Sequence, residues 1–436
     1  MEKDETKIPA CRELACGEFT VRPAHRPEQS RGIEPVEPVL VLQGSYLVEL
    51  AIARSLGRYN IPIFLISRGE KKPPSSFSKF IIGTFFNPDP LIDEEDFIHS
   101  LLSFGEGLIK KYGRRILLFP TDDGTLLLVA KHFDLLRKYF VILNDPDEKD
   151  ILRFCQKIYF FQTLQNSNCT DFLPLTFFCH KGEDIQSIKK NITFPCVIKP
   201  SEKDLAFSFH QKYNSKILVI ENEVDLEKRL IELLSENHKL LVQELVNQNP
   251  GKEISWYGYR SRGGEIFGMT ARQARKLPQM GGTATFIEAE EIPQIHPYAH
   301  QALKLLNFWG ICEMEFMLDE RKKEYKMIEF NPRCWLQLSL ATKAGLNLPY
   351  LAYQEVYKNQ LPKPIIDKRR ELKWVWVKND FLRAVVKRKD GGLLKRLFKW
   401  IPQVFGNCVY AIHSFSDLGV TFHRILELPG KVFKKL

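Results

Sequence analysis

The chain has 436 residues, of which 44% are apolar and 27% charged, and this predicts an ordinary globular protein of two to four domains. It has no apolar run long enough to span a bilayer, no signal-peptide stretch and no CxxC pair among its nine cysteines, which argues against a membrane protein, a zinc knuckle or a disulfide framework and indicates a cytoplasmic protein. Residues 367–436 carry 16 Lys and Arg against 6 Asp and Glu, so this tail accounts for the whole net charge of +10.

The first 150 residues divide into a polar segment and a domain of alternating strands and helices. Residues 1–37 are rich in Pro, Glu and Arg without an apolar period, which predicts disorder. Within 38–150, the pattern predicts strands at 39–42, 61–66 and 115–120 and helices at 47–60, 94–112 and 125–140. This alternation predicts a parallel sheet covered on both faces, a small doubly wound domain.

After Ile158 the pattern changes to strands that alternate with one clear helix, and from Gly251 it becomes one of strand pairs. The predicted strands are 196–200, 216–220, 240–246, three more between 254 and 290, 311–318 and 325–331, and the predicted helices are 225–237 and 296–309. Such a mixture predicts an α+β unit with a largely antiparallel sheet.

The hairpin over 311–333 carries the strongest chemical signal. Because side chains alternate along a strand, Glu313 and Glu315 share one face of the first strand, and Glu329 and Asn331 share one face of the second. If both faces point the same way, the carboxylates repel one another unless a hard cation such as Mg²⁺ lies between them. Arg333 would then point at bound phosphate. A solvated acidic stripe is the alternative.

The string EMEFMLD, a short turn and YKMIEFNPR together resemble the metal-binding hairpin of ATP-grasp enzymes. The resemblance implies that Glu315, Glu329 and Asn331 hold Mg²⁺, with Mn²⁺ as the alternative, and that Arg333 steadies the transferring phosphoryl group as a catalytic residue.

It also implies a Rossmann-like N-terminal domain followed by an ATP-grasp fold, in which two subdomains clamp ATP. The implied boundaries are 38–150 for the first domain, 151–250 for the small lid subdomain with the hinge, 251–365 for the large subdomain with the metal site and 366–436 for a basic C-terminal extension.

Further matches follow in the order that the family has. The resemblance implies phosphate-binding roles for Lys157 and Lys199, adenine binding by Glu244 with the main chain of Leu245 and Val246, and ribose binding by Glu253. Taken singly, each match is weak, because a lysine that ends a strand is commonly a solvated cap.

Over residues 39–365 the chain is similar to the predicted carboxylate–amine ligase branch, which includes D-aspartate ligase. The branch-like features are the turn of Thr121, Asp122 and Asp123 and the pattern RQARKLPQMGG. In that pattern Arg272 and Arg275 are implied to bind a carboxylate or an acyl phosphate, with a charged strand surface as the alternative. One departure is that residues 201–216 contain no glycine, where many family members have a glycine-rich loop over the triphosphate.

The resulting hypothesis is an ATP-dependent ligase that joins a small carboxylate, an amino acid or peptide, to an amine through an acyl phosphate, with ADP and phosphate as products. Two alternatives stay open: an ATP-grasp enzyme with another acceptor, such as a kinase or carboxylase, and a non-catalytic nucleotide- or membrane-binding scaffold. For the basic tail the alternatives are helices packed on the core and peripheral contact with a membrane. No nucleic acid partner is expected, and a homodimer is left open.

Overall fold

The computed structural model of the protein describes residues 36–144, 151–167, 170–201, 203–247, 251–279, 281–367, 371–388 and 391–432. The disorder predicted for 1–37 falls outside these ranges except at its last two positions. Glu37 is buried there, and its carboxylate accepts a hydrogen bond from Arg114 Nη1 at 3.0 Å. In the described ranges, no helix is both long and apolar enough to cross a bilayer.

The first domain is a parallel five-stranded sheet in the order β3-β2-β1-β4-β5. Its elements are β1 (Val39–Leu42), α1 (Tyr46–Gly57), β2 (Ile63–Arg68), a 3₁₀ turn (Pro74–Phe77), β3 (Ile81–Asn87), α2 (Glu94–Tyr112), β4 (Ile116–Pro120), α3 (Asp123–Lys131), α4 (Phe133–Leu136) and β5 (Phe140–Ile142). The predicted parallel sheet is confirmed, although strands β3 and β5 were missed. The helix predicted over 125–140 is wrong at its end, where the chain turns into β5.

The second unit is an antiparallel four-stranded sheet in the order β6-β9-β7-β8. Its elements are α5 (Ile151–Phe154), α6 (Lys157–Asn166), β6 (Thr176–Cys179), α7 (Asp184–Asn191), β7 (Cys196–Pro200), α8 (Lys203–Tyr213), β8 (Leu218–Ile220), α9 (Glu223–Ser235) and β9 (Leu240–Glu244). Much of the glycine-free stretch after β7 forms α8, and this helix lies beside α3 of the first domain.

The third unit is built on a seven-stranded sheet in the order β14-β13-β10-β11-β12-β15-β16. Its strands and first helices are β10 (Glu253–Arg260), β11 (Ile266–Leu277), β12 (Thr283–Ala289), α10 (Ile295–Leu305), β13 (Gly310–Asp319), β14 (Glu324–Asn331), α11 (Leu338–Lys343) and α12 (Leu348–Lys358). All its neighbouring strands run antiparallel except the last pair.

The basic C-terminal extension completes this sheet. It contributes β15 (Lys373–Val375), α13 (Val377–Phe381), one π-helical turn (Leu382–Val386), α14 (Leu393–Trp400), a 3₁₀ turn (Ile401–Val404), β16 (Cys408–Tyr410) and α15 (Leu418–Val432). The extension also returns to the first domain. There the buried Asp417 carboxylate accepts hydrogen bonds from Arg54 Nε (2.9 Å), Ser78 Oγ (2.8 Å) and the Lys79 amide (3.0 Å).

The two faces of the large sheet have different neighbours. Trp256, Met314 and Phe316 pack on one face against α6 and α10. On the other face, Tyr257 and Trp335 belong to a core that also includes α1, α11 and α12, so this face joins the first domain to the sheet. By strand alternation, the polar residues of β13 lie on this second face.

Candidate active site

The β13–β14 hairpin brings the predicted acidic residues together. Glu315 pairs with Glu329 across the hairpin, and Glu313 pairs with Asn331. The alternate residues Met314 and Phe316 are buried in the core on the opposite face. Both polar faces therefore point the same way, which meets the condition that the sequence pattern sets for a shared cation site.

Glu313 is buried beneath this group. Its Oε1 accepts a hydrogen bond from Ser255 Oγ at 3.0 Å, and its Oε2 accepts one from Asn331 Nδ2 at 3.3 Å. Burial, and then the charge of Glu315, raises the pKa of Glu313 to about 8. The hairpin thus concentrates more negative charge than its surroundings neutralise, which is a condition that a bound cation relieves.

Glu329 lies in the opposite electrostatic environment. Burial alone would raise its pKa, but Lys157, Lys216 and Lys199 outweigh burial and lower the pKa to about 2. Lys157 Nζ lies 2.9 Å from Glu329 Oε1. Glu329 is therefore held ionised, as a carboxylate ligand of a metal ion must be.

Two predicted phosphate-binding lysines face this carboxylate from the second unit. Lys157 begins α6, and Lys199 lies near the end of β7, where its Nζ donates to Gln243 Oε1 at 2.7 Å. Burial and the nearby charge of Lys157 lower the pKa of Lys199 to about 8. Two ammonium groups this close favour an anion between them, which is the chemistry of a polyphosphate site.

A cleft runs from these lysines to the hinge after β9. Its apolar walls and its polar groups are suited to a planar base and to a charged tail respectively. The apolar lining is Val197, Ile217, Leu245, Val246, Met317 and Ile328, and the polar lining includes Lys157, Lys199, Lys216, Lys276, Glu244, Glu253, Glu315 and Glu329. All the nucleotide-site residues predicted from the sequence therefore line one cleft.

Two of the predicted hinge contacts already have partners within the protein. The Glu244 carboxylate accepts a hydrogen bond from the Leu175 amide at 2.9 Å, and the Leu245 amide donates to the Pro195 carbonyl oxygen at 3.2 Å. Glu253 accepts from the Gly251 amide at 3.0 Å and lies 3.4 Å from Lys276 Nζ. These contacts hold the Glu244 and Glu253 side chains and the Leu245 main chain in place along the cleft.

A second, more polar cavity lies on the other side of the carboxylates. It shares Lys216, Gly282, Glu315 and Glu329 with the cleft, and it is also lined by Asp123, Gln273, Thr283, Ala284, Glu313, Asn331, Arg333, Trp335, Leu336 and Gln337. Arg333 Nε donates to Asp123 Oδ1 at 2.6 Å, which ties the hairpin to the first domain. Asp123 begins α3, and the neighbouring Asp122 caps that helix.

The structure does not bring Arg272 and Arg275 to either cavity. Arg272 pairs with Glu288 and Glu290 on the outer side of the sheet. A β-bulge follows Gln273, and Arg275 forms a bidentate pair with Asp380 Oδ1 and Oδ2 at 2.7 and 2.8 Å. Both guanidinium groups therefore form ion pairs on the face of the sheet opposite to the hairpin carboxylates. Strand alternation puts Arg272 on that face, and the bulge puts Arg275 there.

Gln273 and Lys276, which are neighbours of these arginines in the chain, line the two cavities instead. Gln273 is buried, and its Nε2 donates to Ser255 Oγ at 2.8 Å and to Glu315 Oε1 at 3.1 Å. Lys276 lines the nucleotide cleft. Side-chain alternation along β11 puts Gln273 on the face opposite to Arg272, so the sequence could have indicated Gln273. No local sequence pattern indicates the bulge that turns Lys276 toward the cleft.

The glycine pair forms the turn between β11 and β12. A Cβ on Gly282 would lie 1.9 Å from the Pro278 carbonyl oxygen, and Gly281 has a φ of +62°. Both positions therefore require glycine, the first for space and the second for its left-handed backbone. The close turn lets the backbone line both cavities.

The donor set fits Mg²⁺ that arrives with a nucleotide. Among the described residues, no three His, Cys, Asp or Glu side chains make a metal site on their own. Glu315, Glu329 and Asn331 supply two carboxylates and an amide oxygen, and Mg²⁺ is commonly bound by one or two carboxylates plus substrate phosphates. Phosphate oxygens in the adjoining cleft would complete such a site.

Solved structures share this fold at low sequence identity. An ADP complex of purK, N5-carboxyaminoimidazole ribonucleotide synthetase, aligns with a TM-score of 0.56 at 13% identity, covering 77% of this chain and 80% of the other. The L-amino acid ligase from Bacillus licheniformis aligns with a TM-score of 0.53 at 13% identity (77% and 76%). A biotin carboxylase complex from Campylobacter jejuni aligns with a TM-score of 0.55 at 13% identity (76% and 73%).

A sequence match supports the structural one over the β13–β14 hairpin. Residues 281–361 match the family model of the carbamoyl-phosphate synthase L chain, ATP binding domain. That segment contains Glu315, Glu329, Asn331 and Arg333. No curated protein matches the chain by sequence. Over residues 281–361 the chain therefore resembles an ATP-binding domain in sequence, and its fold is that of the solved structures named above.

Proposed function

We propose that the protein is an ATP-dependent carboxylate–amine ligase that forms an amide bond through an acyl phosphate. The observation that carries the proposal is that a cleft with apolar and charged walls and a polar cavity meet at Glu315 and Glu329. A γ-phosphoryl group at that meeting point would face a second substrate in the polar cavity. This arrangement suits transfer between two bound molecules.

On the nucleotide side, the protein's work is positioning and charge neutralisation. The apolar walls hold the adenine, and Lys157 and Lys199 bind the phosphate oxygens. Glu315, Glu329 and Asn331 hold Mg²⁺, which when bound neutralises charge on the phosphates. Because Lys157 pairs with Glu329 before nucleotide binds, we expect its ammonium to exchange that partner for phosphate.

On the acceptor side, Arg333 lines the polar cavity, as Lys216 also does. The planar guanidinium of Arg333 suits the oxygens of a carboxylate or of the phosphoryl group. Asp123 holds it from the first domain, so substrate selection involves both domains. Gln273 orients Glu315 from below.

The reaction has two steps. A substrate carboxylate oxygen attacks the γ-phosphorus of ATP and ADP departs, which leaves an acyl phosphate. The amine nitrogen then attacks the acyl carbon, inorganic phosphate departs, and the nitrogen gives its proton to a base. Glu313, which lines the polar cavity, is the base that we assign.

An amino acid or peptide is the substrate class that we propose, within the branch that includes D-aspartate ligase. The likeness to an L-amino acid ligase fits this class. Mg-ATP is abundant in the cytoplasm, so we propose that compartment for the reaction.

The test is the release of ADP and phosphate from Mg-ATP, with pools of amino acids, other carboxylates and amines. Both products are expected only when a carboxylate and an amine are present together. The variant Glu329→Gln is expected to lose this turnover by about 100-fold or more while its circular dichroism spectrum stays that of the wild type.

Three outcomes would contradict the ligase assignment. Both products with bicarbonate as the carboxyl source would indicate a carboxylase. ADP without free phosphate would indicate a kinase. Nucleotide binding without turnover in any pool would favour a non-catalytic scaffold. Separately, full turnover by Glu329→Gln would refute the assignment of Glu329 as a metal ligand.

A further inference from the structure

Helix α14 displays its apolar side to solvent. Leu393, Leu394, Leu397, Phe398 and Ile401 follow the spacing of one helical face, and Lys395, Arg396 and Lys399 fall on the other side. The exposed fraction is 56% at Leu393, 69% at Leu394 and 73% at Phe398. A surface helix ordinarily turns its apolar face to the core, whereas this helix leaves most of its apolar face in solvent.

The orientation of the helix is fixed by contacts on the side of Trp400. The Trp400 Nε1 donates to Asp380 Oδ2 at 2.7 Å, and its ring packs edge-on against Phe381 with centroids 5.3 Å apart. Asp380 in turn is buried and paired with Arg275. The helix is thus held by its Trp400 side while the apolar arc faces outward, and Phe405 just beyond it is also exposed, at 63%.

The charge around this arc points to an anionic partner. Lys395 and Lys399 are exposed beside the apolar arc, and the extension carries the whole excess positive charge of the chain. A short helix with an apolar face bordered by Lys and Arg matches a membrane interface, where the apolar side chains enter the acyl boundary and the cations meet anionic headgroups.

We propose that α14 is a docking surface for an anionic lipid bilayer. The π-helical turn, which packs beside α14, contacts residues of the nucleotide cleft, since its Arg383 donates to the Lys276 carbonyl oxygen at 3.0 Å and to Gln279 Oε1 at 2.8 Å. Lys276 and Gln279 both line that cleft. Docking through α14 therefore brings the cleft to the membrane surface.

The test is co-sedimentation of the full-length protein with vesicles. Binding is expected to vesicles of phosphatidylcholine with 30% phosphatidylglycerol, and to be at least about tenfold weaker to pure phosphatidylcholine or in 0.5 M salt. The double variant Leu394→Glu/Phe398→Glu is expected to weaken binding by about 100-fold. Both side chains are exposed, so the fold should tolerate the change.

A matched control uses the exposed apolar pair of the first domain. Leu91 and Ile92 are 83% and 87% exposed, and Leu91→Glu/Ile92→Glu adds the same charge at a site far from α14 in the sequence. This control is expected to bind vesicles as the wild type does. Equal loss in both double variants would overturn the proposal, as would wild-type binding by the α14 variant or no binding to anionic vesicles. A wild-type dimer that the α14 variant converts to a monomer, without vesicle binding, would assign the surface to a second copy of the chain.

Discussion

Gln273 and Arg272 are neighbours in β11 whose side chains lie on opposite sides of the sheet. Gln273 donates to Glu315, whereas Arg272 forms ion pairs on the outer side. Removing a residue that orients a metal ligand commonly lowers activity 10- to 100-fold. We expect Gln273→Ala to lower the rate of phosphate release by about that factor and to raise the Mg²⁺ concentration needed for half-maximal rate.

Arg272→Ala is the matched control for that change. Its ion pairs are partly exposed, and exposed pairs contribute little. The rate should stay within about twofold of the wild type. An Arg272→Ala variant as impaired as Gln273→Ala would mean that substrate contacts the outer side of β11.

Glu49 is expected to make the free energy of unfolding depend on pH. The side chain is fully buried, and burial raises its pKa to about 7, although the hydrogen bonds from Ser75 and Gly44 act to lower it. An acid whose pKa is raised by folding stabilises the protein fully only below its unfolded pKa, and that stability is lost as pH rises through the folded pKa. The loss between pH 5 and 8 is up to about 3 kcal/mol.

Glu49→Gln mimics the protonated acid at every pH. We expect the free energy of unfolding in urea to fall less for this variant than for the wild type between pH 5 and 8. The variant should therefore be the more stable of the two at pH 8. Parallel pH profiles for the two proteins would show that Glu49 does not titrate in this range.

At the scale of elements, the pair of Arg275 and Asp380 joins β11 to α13. Asp380 is fully buried, and it also accepts hydrogen bonds from Trp400 Nε1 and Thr285 Oγ1. Removing the arginine leaves a buried carboxylate without its cation, which costs about 3 kcal/mol or more. We expect Arg275→Ala to lower the urea midpoint clearly, and Arg275→Ala/Asp380→Ala to lower it by less than the sum of the single changes.

The control for this pair is Glu106→Ala, which breaks the exposed pair of Glu106 and Lys110 in α2. No measurable shift of the midpoint is expected there. A small effect of Arg275→Ala, equal to that of the control, would show that α13 is held by its apolar contacts alone.

The elements that the sequence predicted well are those with a local pattern. The β13–β14 hairpin joins strands close in the chain, and alternation along each strand gives the shared face of Glu313 and Glu315 and that of Glu329 and Asn331. The partner of Arg275 lies 105 residues away in the chain. No local sequence pattern indicates the bulge that turns this arginine away from the hairpin carboxylates. Short edge strands such as β5 and β16 were missed because three residues carry too little periodicity.

At the scale of the whole molecule, the contact of Arg333 with Asp123 connects the third unit to the first domain. The two residues are 210 positions apart in the chain. Asp123 lines the polar cavity and not the nucleotide cleft. Asp123→Asn keeps the shape of the side chain but removes its charge. We expect the rate at limiting carboxylate substrate to fall by about tenfold, while the affinity for a fluorescent ATP analogue is unchanged.

The exposed Asp134 in α4 offers a control, and Asp134→Asn should leave both quantities as they are. A loss of nucleotide affinity in Asp123→Asn, with an unaltered dependence on the carboxylate, would place Asp123 on the nucleotide side and contradict the two-cavity assignment.

The contact of Arg54 with Asp417 sets an order of events during synthesis. The two residues are 363 positions apart, so Arg54 leaves the ribosome long before its carboxylate partner is made. At about 5–20 residues per second, the interval is roughly 20 to 70 seconds. Throughout that time α1 has a guanidinium without the carboxylate that neutralises it. The first domain therefore cannot complete this buried ion pair until the C-terminal extension has been made.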